Sequence, residues 1–158
     1  MSLAEELKMN KPFISQQHEL SVGLMYTTER FRDYFFSICQ KYGITTQQYN
    51  MLRILRGSHP NALSCSEINS RMIQRSPDIT RLIRRLELAG YVMRARDSRD
   101  NRVVRTLILP SGIDLLRSMD ADIRTIHDVF SVLSEDQRLV LIEALQAVRA
   151  ELNRRISQ

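Results

Sequence analysis

Apolar positions recur through most of the chain at alternating spacings of three and four, the period of helices that bury one side. Over residues 15–42, Leu24, Thr28, Phe31, Phe35, Ile38 and Tyr42 draw one stripe, and Gly43 ends the segment. Thr45 or Thr46 caps a second helix, with Gln48 placed for a capping box from Thr45 and an inner face of Tyr49, Leu52 and Leu55. Ser64 and Glu67 repeat that signature and open a short helix over residues 65–72. Ser76-Pro77-Asp78 reads as another helix start: a hydroxyl N-cap, proline at the first helical position and an acid in the first turn. Ile79, Leu82, Ile83 and Leu86 give that helix its buried side, and Gly90 stops it.

The pattern then changes. Residues 91–96 and 103–109 are β-prone runs flanking a polar tip over residues 97–102, which predicts a hairpin that Leu63 extends by one short strand. Pro110-Ser111-Gly112 opens a long helix carrying Leu115, Leu116, Met119, Ile123, Ile126, Val129 and Phe130. Ser134 to Gln137 caps a last one carrying Leu139, Ile142, Leu145, Val148, Leu152 and Ile156. Residues 1–11 are polar and mixed and read as a loose arm. The predicted fold class is mainly α with a small β-hairpin wing, a winged helix-turn-helix flanked by long terminal helices. Such a core places a helix in the major groove of DNA and a wing in the adjacent minor groove. The terminal helices exceed what that core needs, so their stripes require a second copy of the chain or a fold back onto a neighbour.

Charge sharpens this reading. Residues 71–109 hold ten arginines, four acids and no lysine, a net of +6 in a chain whose total is +5. Arginine's planar fork binds phosphates and guanine edges in pairs, so the window has the footprint of a nucleic-acid contact. Thr80, Arg81 and Arg84 are the expected base readers, with Ser76 and Pro77 at the helix start and Arg75 facing phosphate. Arg71, Arg94 and Arg105 have a plainer reading, as partners of acids on neighbouring elements.

Three motifs carry a resemblance to the MarR family of bacterial transcription regulators, over roughly residues 20–155. ITTQQYNMLRIL, residues 44–55, is similar to the family's L-T-x-x-Q-[aromatic]-x-x-L-x-x-L helix. Residues 76–92 resemble its recognition helix, S-x-x-x-T-R-L-[VI]-x-R-L-x-x-x-G-[YL]-[VI], and residues 97–112 its wing, D-x-x-D-x-R through to a glycine. Two departures stand out: Leu109 replaces the usual capping Thr, leaving Ser111 as the substitute cap, and Arg85 stands where the family often has Asp. The resemblance implies a single MarR-like domain over residues 1–158. Its winged-helix core would span about residues 44–109, with dimerisation helices at about 15–42 and 111–157. It implies a homodimeric repressor that binds a pseudo-palindromic operator in double-stranded DNA. Arg102 would enter the groove, Asp100 would orient it, and Arg99 would be a further wing contact. It also implies release by a small aromatic or phenolic effector, for which Met25, Phe31, Phe35 and Tyr49 are the candidate pocket, although the same residues serve equally as plain core.

Other classes find less support. His18, His59 and His127 are far apart and lack partners at ligand spacing, glycine is sparse, and no nucleophile-base set emerges. No enzyme activity, cofactor or metal is therefore expected. No run approaches the ~18 to 20 apolar residues of a membrane span, and a signal pattern is lacking, so a cytoplasmic location without membrane partners is expected. Cys39 and Cys65 give no disulfide framework and read as buried, inert thiols. Two alternative functions remain: a winged-helix protein–protein interaction module using the basic face, and a thiol-based redox-responsive regulator.

Overall fold

The computed structural model describes residues 2–96 and 103–157. The elements run α1 (Leu3–Glu6), α2 (Gln16–Lys41), α3 (Thr46–Ser58), β1 (Leu63–Ser64), α4 (Cys65–Arg71), α5 (Ile79–Leu88), β2 (Val92–Arg96) and β3 (Val104–Ile108). They continue with α6 (Pro110–Asp128), a 3-10 turn (Val129–Val132) and α7 (Glu135–Ile156). Two compact units result, Met1–Asp122 and Ile123–Gln158.

In the first unit the caps do most of what the spacing predicts. Ser15 starts α2 by accepting from the His18 N–H, and capping boxes form at Thr45–Gln48 and Ser64–Glu67. Residues 3–6 are not loose: Ser2 and Glu5 close a further capping box over one helical turn. The start of α5 also differs from expectation. Its N-cap is Asp78, whose carboxylate accepts from the Arg81 N–H at 3.0 Å, so Ser76 is not the cap and Pro77 precedes the helix. Asp78 offers a charged acceptor two positions after Ser76, whose own N–H is tied back to Asn69 Oδ1 at 2.9 Å. Ser111 is no cap either. Proline takes the first position of α6, and the Ser111 hydroxyl instead donates to the Gly90 carbonyl at 2.5 Å.

The winged-helix core gathers Met51, Leu52 and Leu55 of α3, Ile68 of α4 and Leu82, Ile83 and Leu86 of α5 around the inner face of the sheet. Each fully buried aliphatic side chain here contributes roughly 1.5–3 kcal/mol. Strand order is β1-β3-β2, all antiparallel, with Leu63 opposite Thr106, Val92 opposite Ile108 and Arg94 opposite Thr106. Leu63 thus adds the short strand the sequence suggests. At the far side of the sheet Gly112 is a contact point. A Cβ there would lie 2.5 Å from the Tyr91 carbonyl oxygen and 2.9 Å from Ile108 Cγ1.

In the second unit, α7 is capped by a Ser134–Gln137 box and has no buried residue. Its apolar positions form a broader band than one stripe. The run Leu139, Val140, Leu141 and Ile142 spans about 300° of the helix circumference, and all four are exposed. No helix among the described residues is long and apolar enough to cross a membrane.

Candidate nucleic-acid interface

The outward face of α5 follows from its inward one. With Leu82, Ile83 and Leu86 buried, the helical period leaves Thr80, Arg81, Arg84 and Arg85 exposed on the opposite side. Arg75, in the turn ahead of the helix, is exposed as well, as is Pro77. Ser76 is different: at 8% exposure it is turned into the fold. Among the described residues no carboxylate comes within salt-bridge distance of Arg75, Arg81, Arg84 or Arg85. A row of unneutralised guanidinium groups on a rigid helix suits a polyanion.

Three other arginines of the basic window have partners, whereas Arg96 at the end of β2 is exposed and without a salt bridge among the described residues. Arg94 Nε donates to Glu87 Oε2 at 2.8 Å, joining β2 to the last turn of α5. This hydrogen bond holds the Glu87 carboxyl below the usual carboxylate range and raises Arg94. Arg105 donates to Glu67 Oε2 at 3.2 Å and to the Ala62 carbonyl at 3.3 Å. Glu67 does double duty, because the same oxygen accepts from the Ser64 N–H at 2.8 Å in the α4 capping box. Its carboxyl is accordingly lowered, first by Ser64 and then by the nearby arginines. Arg71 has a hydroxyl rather than an acid as partner, Ser58 Oγ at 2.9 Å. The plain reading of Arg94 and Arg105 therefore holds, whereas the acid expected beside Arg71 is replaced by the Ser58 hydroxyl.

Two site residues were missed in the sequence. The Ile73 N–H donates to Asn50 Oδ1 at 3.0 Å, and the Ser76 N–H donates to Asn69 Oδ1 at 2.9 Å. Both asparagines lie inside helices, where their propensity is poor. That mismatch was the available signal. The expected wing residues Arg99, Asp100 and Arg102 lie outside the described residues.

Of the candidate pocket residues, Phe35 and Tyr49 meet edge to face with ring centroids 5.2 Å apart. Phe31 is half-buried one turn earlier on α2, whereas Met25 is 63% exposed and about 15 Å from Phe35 along the helix. Met25 and Tyr49 thus do not line one small cavity. Cys39 is fully buried, and burial pushes its thiol up to about 11. Cys65 is only half-buried, in contrast to the expectation for both thiols.

The family model for the transcriptional regulator SarA/Rot matches residues 33–116, which span α3, α4, α5 and the sheet. The regulator TtmR of Methylorubrum extorquens is 30% identical over 141 residues, 89% of this chain and 71% of its own. A solved MarR transcription factor from Planctomyces limnophilus is 32% identical, covers 86% of this chain and 99% of its own, and superposes with a TM-score of 0.66. Bordetella bronchiseptica BpsR, whose structure concerns regulation of its DNA binding by 6-hydroxynicotinic acid, shares the fold. It is 20% identical, with a TM-score of 0.71 over 83% of this chain and 98% of its own. An exposed arginine face on the second helix of a helix-turn-helix, within a match of this extent, has one meaning: the chain belongs to the MarR/SarA type of winged helix-turn-helix, DNA-binding transcriptional regulators.

Proposed function

We propose that the chain is a homodimeric repressor that reads a pseudo-palindromic operator through α5, with Thr80, Arg81 and Arg84 at base edges and Arg75 and Arg85 on phosphates. The observation that carries this is the division of the basic window: the arginines of α5 and its preceding turn lack carboxylate partners among the described residues, while Arg94 and Arg105 of the sheet are paired with Glu87 and Glu67. Phosphate contacts hold the register and base contacts carry the sequence. Arg102, with Asp100 orienting it and Arg99 beside it, extends the contact from the wing into the minor groove. Dimerisation accounts for α7, whose Leu139, Ile142, Val148, Leu152 and Ile156 are all at least 45% exposed. A two-fold interface would cover that surface twice over and set half-sites about 34–36 Å apart or a multiple. Such a regulator works in the bacterial cytoplasm, where its operator is.

Phe31, Phe35 and Tyr49 supply an aromatic lining for a small phenolic or heteroaromatic effector, the class that acts on BpsR. A redox mechanism through Cys39 is disfavoured by its burial and raised thiol. A thiol reagent at neutral pH should modify Cys65 and spare Cys39 until the chain unfolds; rapid loss of both thiols would restore the redox reading.

The decisive test uses an operator selected from bound genomic fragments. Arg84→Ala should lower operator affinity by roughly tenfold or more while affecting a scrambled duplex far less. Arg117→Ala is the control, since among the described residues Arg117 bridges only Asp114, on the surface of α6. Equal loss on both duplexes would make Arg84 a phosphate clamp. No loss on either would favour the interaction-module reading.

A further inference from the structure

The segment joining α4 to α5, residues 72–78, is longer than the three or four residues that often suffice in a helix-turn-helix. A connection of that length needs something to fix it. Within it Met72 is buried at 6% exposure and the next residue, Ile73, is 91% exposed. A free turn would fold so large an apolar side chain inward. What opposes this is a pair of side-chain carbonyls from two different helices. Asn50 of α3 accepts from the Ile73 N–H, and Asn69 of α4 accepts from the Ser76 N–H, at 3.0 and 2.9 Å. The Asn69 bond is partly buried, so competing water is partly excluded there, while the Asn50 bond lies exposed at the other end. The two bonds bracket Gln74 and Arg75 and end one residue before Pro77, whose ring then aims the chain at the Asp78 cap.

We propose that Asn50 and Asn69 are positioning residues for DNA recognition. They clamp the turn at both ends, which sets the exposed display of Ile73 and Arg75 and the direction in which α5 leaves. The inference rests on the operator-reading role proposed for α5 and adds two residues that need not touch DNA. An apolar residue at either position removes the tie between the turn and a helix, because each amide holds a backbone N–H that no helix or strand serves. The carboxylate of aspartate keeps the accepting oxygen, so Asn→Asp preserves the clamp.

The test is made on the full chain with the selected operator and its scrambled counterpart. Asn50→Ala and Asn69→Ala should each increase amide hydrogen exchange in residues 72–76. Each should also lower the operator-to-scrambled affinity ratio by about three- to tenfold, the equivalent of one turn hydrogen bond. Asn50→Asp and Asn69→Asp should restore both protection and ratio; their added charge weakens both duplexes alike and leaves the ratio intact. Exchange that rises with an unchanged ratio would show a structural role only and overturn the proposal, as would unchanged exchange in the alanine variants. A parent chain that does not distinguish the two duplexes would overturn the operator-reading role and this proposal together, and that outcome is visible before any variant is made.

Discussion

Arginine does two jobs in one quarter of this chain. On α5, Arg81, Arg84 and Arg85 project from a helix whose other side is locked into the core, and no described carboxylate claims them. On the sheet, Arg94 and Arg105 are spent on Glu87 and Glu67 and stitch the wing to the helices behind it. The residue type is the same and the neighbours differ. Net charge therefore overstates the surface offered to DNA, because the paired arginines present a neutralised seam. Helix α5 is also anchored at both ends: the Arg94–Glu87 pair fastens its last turn to β2, while Asp78 caps its first.

The widest separation between the two groups should appear when one arginine of each is removed. Arg84→Ala should cost roughly tenfold or more in operator binding and leave thermal stability nearly unchanged. Arg94→Ala should lower the melting temperature and leave the operator-to-scrambled ratio close to that of the parent. Melting curves and duplex titrations on both variants check this, and a matching loss of specificity in Arg94→Ala would dissolve the distinction.

Within the basic window and its partners, acid should act on the stitched side. Glu67 and Glu87 are held below the ordinary carboxylate value of 4.5, Glu67 by Ser64 and then Arg105, Glu87 by Arg94. A carboxyl lowered in the folded chain binds its proton less readily than in the unfolded one. Its stabilisation is therefore complete above about pH 4.5 and is lost as pH falls below that. Melting temperature followed from pH 7 to 3 should fall in this window, and less steeply in Glu87→Gln. An unchanged pH profile in Glu87→Gln would mean that the Arg94 pair adds nothing to folding.

The smallest expected effect concerns Thr106, opposite Arg94 in the sheet. Its hydroxyl is fully buried and has no hydrogen-bond partner among the described residues. Thr106→Val keeps the shape and removes the orphaned group, so stability should rise by about 1 kcal/mol with operator affinity unchanged. A loss in chemical denaturation would reveal a partner for that oxygen.

Much of this was written in local pattern. The helical stripes, the capping boxes at Thr45, Ser64 and Ser134, and the short strand at Leu63 all depend on near neighbours, and spacing shows them. The start of α5 was misjudged because Ser76 and Asp78 both qualify as caps in sequence. The choice depended on Asn69, seven residues back, taking the Ser76 N–H. Which arginines are free was not legible either. Arg105 and Glu67 are 38 residues apart, and only the sheet register brings them together. Asn50 and Asn69 were overlooked for a related reason, since their partners lie in a turn whose course the sequence does not specify.

Gly112 has a mechanical consequence. The Leu109 N–H donates to the Tyr91 carbonyl at 2.9 Å, the Ser111 hydroxyl reaches the Gly90 carbonyl, and Gly112 lies against the Tyr91 oxygen with no room for a methyl group. These three contacts join Leu109 and the first turn of α6 to Gly90 and Tyr91, just after α5. There is no slack in this joint. A side chain larger than hydrogen at position 112 would therefore push the start of α6 off Tyr91 and loosen the joint that follows α5.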